Sequence, residues 1–467
     1  MSSSLEYKNE SAWKLYNNSQ DSAAMRLFTD RYVDFLSTCK TEREVIQYVE
    51  KRLTAAGYSN DPSAKLFVCP FREKALFAAK RGSEPLSKGI SLIAAHADSP
   101  RLDLKQHPIL EQADLVQGQT HYYGGIKKYQ WLSRPLALHG VIVKEDGEKV
   151  RLVIGEDASD PVFCIADLLP HLGHQELTKT LEHAFDGEKM KIVIGHKWQE
   201  DAEEKKEDKK EAACEEAEAK DHLKKSLLQL LFNKYGIREE DFITAEVEVV
   251  PAGRARYVGF DESVVGAYGQ DDRICVFTAL EALLASNDLG RTKAVMFWDK
   301  EEIGSQGSTG ASAKFFQYCI EDLARLAGLP AGHVLLATEA ISADVTAAID
   351  PDYQDLHEKE NSARFGFGPC FCKFTGSKGK FGASEADAEY FAQIRKAFNS
   401  QNVPWQAAEL GKVDVGGGGT VALFMAAWGM KVIDLGPALL AMHSPFELSS
   451  CADIYGTWKA YTAFLDR

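Results

Sequence analysis

Residues 266–310 run GAYGQDDRICVFTALEALLASNDLGRTKAVMFWDKEEIGSQGSTG. An acidic corner, Asp271 and Asp272, opens an Ala- and Leu-rich segment of helical texture. A short apolar run at residues 294–298 then reads as a buried strand, and a second acidic corner, Glu301 and Glu302, gives way to glycines. Helix and buried strand in succession indicate an α/β sheet. Oxygen ligands held where strands and helices meet in such a sheet can converge on one point, which suits hard or borderline cations. Paired acids also occur on solvated turns and at helix N-termini, where they complement the dipole. Glu301 and Glu302 differ in closely following a run that should be buried, and acids at such an exit are seldom idle.

The totals set bounds around this stretch. A chain of 467 residues exceeds one ordinary core, so two domains, or one with a large insertion, are expected. The formal charge of -15 argues against phosphate-directed nucleic-acid binding and against anionic membranes. The polar start, MSSSLEYKNESAWKLYNN, lacks the pattern of a secretory signal, and no apolar run is long enough to span a bilayer. Nine scattered cysteines, of which only Cys370 and Cys372 are close, do not form a zinc-finger pattern and suit reduced thiols in the cytoplasm.

Working outward, residues 22–36 carry Met25, Phe28, Tyr32, Phe35 and Leu36 at helical spacing. Thr41 with Glu44 forms a capping box for a second helix that Gly57 should end. Strands are expected at KLFVC, at KALFAAK and at residues 90–95, the last delivering His96, Ala97 and Asp98. From about residue 101 to 253 the texture turns strand-rich, with RPLALHGVIVKE, KVRLVIGE, MKIVIGHKW and ITAEVEVVP. Residues 199–225, QEDAEEKKEDKKEAACEEAEAKDHLKK, have almost no apolar face and read as a solvated helix or loop without chemistry. Beyond them the α/β texture returns, with HVLLATEA and KVIDLG as strands, a further strand around WQAAEL, GGGGT (residues 416–420) opening a helix, and a C-terminal packing helix. The expected organisation is one α/β domain, residues 1–100 and 254–467, interrupted by a β-rich domain at residues 101–253.

The polar residues at expected strand exits are His96, Asp98, Asp271, Asp272, Glu301, Glu302, Asp344 and His443. Either histidine alone is as well explained by a hydrogen-bonded core or turn position. The H-x-D spacing shifts the balance for His96, because alternate strand residues point the same way and Asp98 can orient the imidazole. A mixed nitrogen and oxygen set matches zinc, manganese or cobalt better than magnesium or a thiolate cluster. Two ions sharing a bridging aspartate use every corner, whereas one leaves carboxylates unpaired. GGGGT lacks the lysine of a P-loop and the spacing of a dinucleotide fingerprint, so it marks close backbone approach to a ligand or a plain helix start.

HADSPRLD, DDR, DKEEIGS, the SAD that ends in Asp344, and MHSPFE occur in one order along the chain. Together they resemble the aspartyl aminopeptidase and vacuolar aminopeptidase I family of dinuclear zinc exopeptidases. The resemblance implies a three-layer metallopeptidase (phosphorylase/hydrolase-like) catalytic domain with an inserted β-rich dimerisation domain, and a homo-oligomer of dimers assembling to a dodecamer. It implies two divalent ions, Zn2+ with Mn2+ or Co2+ as alternatives, one held by His96, Asp271 and Asp344 and the other by Asp271, Glu302 and His443. Glu301 becomes the general base, and Asp98 orients His96. The placement of Asp271 before the ALEAL helix follows the family, with Asp272 one residue away. A histidine of the inserted lobe is expected at a neighbouring subunit's substrate, which falls on His171 with His174 as competitor. Lys373 matches a family lysine near the substrate. The histidine that aspartate-selective members carry shortly after the metal-binding aspartate is missing from DVTAAIDP, so release of acidic N-terminal residues is left open. The alternatives are another two-metal hydrolase, such as a carboxypeptidase or deacylase, and a metal-stabilised assembly scaffold.

Overall fold

A computed structural model describes residue 5, residues 8–198 and residues 221–467. The chain forms two compact units, Met1–Ser99 with Arg254–Arg467 and Pro100–Gly253. It is a mixed α/β protein with several sheets.

In the first unit the main sheet has eight strands, in the order Leu66–Phe71, Ala75–Lys80, Thr292–Trp298, Ile90–His96, Glu339–Ser342, Lys431–Gly436, Cys370–Cys372, Gln406–Ala407. Thr292–Trp298, Ile90–His96, Glu339–Ser342 and Lys431–Gly436 run parallel. These strands are buried on both faces, which is why they read as continuous apolar runs. Successive residues of Ile90–His96 divide between two cores: Ile93 and Ala95 in one, Leu92 and Ala94 in the other. The first core packs helices Ser19–Thr38, Glu42–Ala55, Gln270–Ala285, Ala388–Ser400 and Cys451–Leu465. The second packs Phe315–Leu326, Ala331–Ala337 and Ala422–Ala427.

Local chemistry explains the helix boundaries. The Thr41–Glu44 capping box is formed, and the chain leaves that helix through Gly57 at φ +91, a conformation that a residue without Cβ adopts freely. Phe277 of Gln270–Ala285 meets the rings of Phe28, Tyr32 and Phe35 at centroid distances of 5.3, 5.4 and 5.3 Å. Truncating such a fully buried ring to alanine costs about 3–5 kcal/mol.

Three expectations need correction. HVLLATEA is not one strand: Ala331–Ala337 is a helix after Pro330, whose fixed φ suits a helix start, and only Glu339–Ser342 is extended. A short apolar run carries no period long enough to separate the two states. GGGGT does not open a helix. Gly417–Gly418 pairs antiparallel with Gly376–Ser377, the helix begins at Ala422, and a Cβ on Gly417 would collide with the Gly376 carbonyl oxygen. The glycines are there for close backbone approach. The strand around WQAAEL shrinks to Gln406–Ala407.

The second unit holds a seven-stranded sheet that includes Leu136–Val143, Lys149–Ile154, Ile192–Gly195 and Glu246–Pro251. It also contains an antiparallel pair, Arg101–Gln112 with Leu115–Tyr123, whose mixed polar sequence concealed it. The expectation for the acidic run falls mostly on residues 199–220, outside the described residues. The chain is helical again over His222–Tyr235.

Candidate metal centre

The parallel strands of the first unit deliver chemistry at their C-terminal ends, where a doubly wound sheet presents its crevice. His96 ends its own strand, Asp98 lies two residues on, Glu301 and Glu302 follow Thr292–Trp298, and Asp344 follows Glu339–Ser342. Asp271 arrives on the first turn of Gln270–Ala285, where the backbone is not yet helical and the Asp271–Asp272 peptide is cis. The Ser99 hydroxyl fixes this turn by donating to the Asp271 carbonyl at 2.7 Å. His443 follows the short strand Ala438–Leu440 in a left-handed conformation, φ +63.

Asp271 stands between the two histidines. Its Oδ1 is 3.2 Å from His96 Nε2 and its Oδ2 is 3.2 Å from His443 Nε2. His96 Nε2 also lies 4.0 Å from Asp344 Oδ1, and His443 Nε2 lies 3.4 Å from Glu302 Oε2. Two groups of donors result, His96 with Asp271 and Asp344, and Asp271 with Glu302 and His443, each with its ligand atoms within 4.8 Å of one another. Asp272 belongs to neither group. It accepts the His96 N–H at 3.3 Å and is fully buried.

Asp98 supports three neighbours at once. Its Oδ1 is 3.3 Å from His96 Nδ1, and its carboxylate accepts the N–H groups of Glu301 at 3.1 Å and Glu302 at 3.2 Å.

The electrostatics fit cations. Burial drives the carboxyls of Glu302 and Asp344 well above the usual range, with neighbouring aspartates adding to the effect, and Glu301 is pushed up to about 6 chiefly by burial. Burial opposes ionisation of Asp271 too, but His443 and His96 outweigh it and hold this carboxyl low. Burial likewise disfavours the two imidazolium forms. Asp271 leads the groups that override it, lifting His96 far up and His443 to about 10. Glu302 Oε1 is buried with no hydrogen-bond partner, and buried Asp271 Oδ1 faces only the His96 ring nitrogen at 3.2 Å. A crowd of carboxylates carrying an orphaned oxygen, with two imidazoles among them, is a donor set that divalent cations complete.

The two groups open onto a cavity of about 810 Å³, also lined by Phe374, Lys378, Lys412, Thr420, Asp434 and Met442. Lys373 is not among the lining residues, although both its neighbours, Cys372 and Phe374, are; its Nζ is 3.8 Å from Glu385. His171 and His174 lie exposed in the second unit and are not brought into either donor group.

One residue escaped the sequence reading. Glu447 is fully buried, its carboxyl pushed up to about 8 by that burial, and it accepts three backbone N–H groups: Gln270 at 2.6 Å, Asp271 at 3.1 Å and His443 at 2.7 Å. The only signal was the acid that closes MHSPFE and begins the strand Glu447–Ser450.

The model of the aminopeptidase I zinc metalloprotease (M18) family matches residues 35–465. The chain belongs to the M18 family. A probable M18 family aminopeptidase 1 of Clostridium acetobutylicum is 46% identical over 475 residues, covering 99% of this chain and 98% of its own. The crystal structure of an M18 family aminopeptidase from Thermotoga maritima superposes with a TM-score of 0.91 at 41% identity, covering 99% of this chain and 100% of its own. The mApe1 dodecamer of S. cerevisiae shares the fold, with a TM-score of 0.73 at 19% identity, covering 95% of this chain and 97% of its own. This M18 aminopeptidase is therefore a metallopeptidase that releases N-terminal residues from peptides.

Proposed function

We propose that the centre holds two divalent cations, Zn2+ with Mn2+ or Co2+ as alternatives, His96, Asp271 and Asp344 holding one and Asp271, Glu302 and His443 the other. The observation that carries this reading is Asp271, each of whose oxygens faces a different histidine at 3.2 Å. Bound cations supply Lewis-acid activation of water and of the scissile carbonyl. Glu301 takes the proton from the attacking water on its carboxylate and returns it to the leaving amine. Asp98 fixes the His96 ring through Nδ1 and, through its two N–H acceptances, the position of Glu301.

Lys373, flanked in sequence by two cavity-lining residues, is the assigned contact for an acidic N-terminal side chain. His171, exposed on its unit, is assigned to the substrate of a neighbouring copy. Met1–Ser99 with Arg254–Arg467 is read as a three-layer catalytic domain and Pro100–Gly253 as an inserted dimerisation domain, in a homo-oligomer that builds from dimers to a dodecamer. The dodecamer of the yeast relative supports that assembly. Eight cysteines among the described residues are free thiols, which supports a reducing cytoplasmic setting. Among the described residues no helix is long and apolar enough to cross a membrane.

A panel of aminoacyl anilides with neutral and acidic side chains, beside N-blocked peptides and with metal analysis of the protein, tests this reading. Cleavage that needs a free α-amine and two ions per chain is expected. Hydrolysis of N-blocked peptides, or full activity with one ion, would sink it. Loss of the preference for acidic over neutral anilides in Lys373→Ala supports that assignment, and an unchanged ratio removes it.

A further inference from the structure

We propose that Glu447 is a positioning residue that holds the Asp271 and His443 corners at one fixed spacing, and so sets the affinity of the Asp271, Glu302 and His443 group for its cation. The inference rests on the two-cation reading. Its basis is a division of labour within one carboxylate. Oε2 accepts the N–H groups of Gln270 and Asp271, at 2.6 and 3.1 Å, while Oε1 accepts that of His443 at 2.7 Å. The two corners lie more than 170 residues apart in sequence. They meet on a single side chain.

The backbone beneath Glu447 is equally fixed. Glu447–Ser450 pairs on one side with Val264–Ala267, which leads into the Asp271 corner, and on the other with Ala438–Leu440, which leads into the His443 corner. Glu447 itself stands opposite Ala267. Its strand is thus the physical link between the two chain segments, and its carboxylate ties their far ends. His443 holds a left-handed backbone that a residue with a Cβ seldom adopts, and the bond from its N–H to Oε1 helps to keep it there. The Asp271 corner is braced also by Gln270, whose side-chain amide donates to the Val265 and Glu447 carbonyls at 3.1 and 2.7 Å and whose side-chain carbonyl accepts from Tyr32 and Ser449.

Glu447 does not line the cavity and belongs to neither donor group, so its assigned role is support and not chemistry. Positioning predicts something that mere support does not. Glu447→Gln keeps the shape but gives up one acceptor oxygen, so one corner is released. Glu447→Asp keeps the charge but is a methylene too short to reach both. Both variants should weaken one cation site about 10- to 100-fold, the range seen when partners behind metal ligands are removed. The other site shares Asp271 but takes its remaining ligands from Asp344 and His96, whose backbone Glu447 does not hold, so it should weaken clearly less. Thr457→Ala, a fully buried change in Cys451–Leu465 that breaks the bond to the Asp453 carbonyl at 2.7 Å, is the control for general loosening.

The experiment is Zn2+ titration of chelator-stripped full-length protein by calorimetry, with circular dichroism of each variant to register folding. A wild type with two sites, and Glu447 variants in which one is weakened clearly more than the other while Thr457→Ala keeps both, supports the proposal. A wild type holding fewer than two ions overturns the two-cation reading and this inference with it. Two unchanged sites in a folded Glu447→Gln or Glu447→Asp protein, or equal weakening of both sites in either, overturns the positioning role alone. If Glu447→Gln does not fold, Glu447→Asp decides.

Discussion

Trp298 and His96 are register partners on adjacent parallel strands, and the Ala97 N–H donates to the Trp298 carbonyl at 2.7 Å. The two turns beyond them therefore leave the sheet side by side. Asp98 closes the space between them by accepting the N–H groups of Glu301 and Glu302, at 3.1 and 3.2 Å.

Asp98→Ala should consequently disturb both turns at once. The His96 ring loses the carboxylate beside Nδ1 and keeps only the Asp98 carbonyl, 3.1 Å away, while two part-buried backbone donors are orphaned. We expect kcat/KM to fall about 10- to 100-fold together with metal affinity. Steady-state kinetics and metal analysis check this, and wild-type values for both would show that Asp98 does not orient the centre.

Glu301→Gln should lower kcat about 10²- to 10⁴-fold while metal content stays intact. The acid limb of the wild-type pH profile has a definite sign. A base must be unprotonated, so the rate falls as pH drops through its pKa. Burial raises that value to about 6 and nearby cations draw it down, which puts the limb at or below about pH 6. A limb well above neutrality would assign the base elsewhere.

Removing the cations with a chelator should abolish turnover and leave the carboxylates of Glu302, Asp344 and Glu301 uncompensated. Their pKa values are raised in the fold, so the stability they allow is present at low pH and lost as pH rises through the folded values. The Tm of the stripped protein should therefore drop more steeply as pH rises above about 4.5, the ordinary glutamate value, than that of the loaded protein. Parallel melting curves would contradict this.

Asp453 offers a pH effect remote from the ligands. It is fully buried, and burial lifts its carboxyl from 3.8 to about 7 against the bonds it accepts from Gly366 and Gly368 at 2.7 and 2.6 Å. The folded state then binds more protons than the unfolded one between those limits, and stability falls as pH rises, by up to about 1.4 kcal/mol per pH unit. Asp453→Asn should remove that part of the slope in urea unfolding measured from about pH 4 to pH 7. An unaltered slope would exclude Asp453 as its source.

The parts of the molecule legible beforehand were those with a local cause. The apolar strands before His96 and Glu301, the Thr41–Glu44 cap and the acids beyond the strand ends each announce themselves within a few residues. What stayed hidden depends on distant partners. The antiparallel pair Arg101–Gln112 and Leu115–Tyr123 is too polar to show a clean period, the Gly417–Gly418 strand exists because Gly376–Ser377 lies against it, and Glu447 gains its meaning from N–H groups on two remote turns.

The order of strands in the main sheet also governs how the chain can mature. Ile90–His96 is flanked by Thr292–Trp298 and Glu339–Ser342, both of which follow the Pro100–Gly253 unit in sequence. A ribosome must therefore extrude that whole excursion, and then some, before the earliest central strand finds either neighbour. Truncated products that stop short of residue 292 carry Ile90–His96 as an unpaired, largely apolar edge, prone to adhere to other nascent chains.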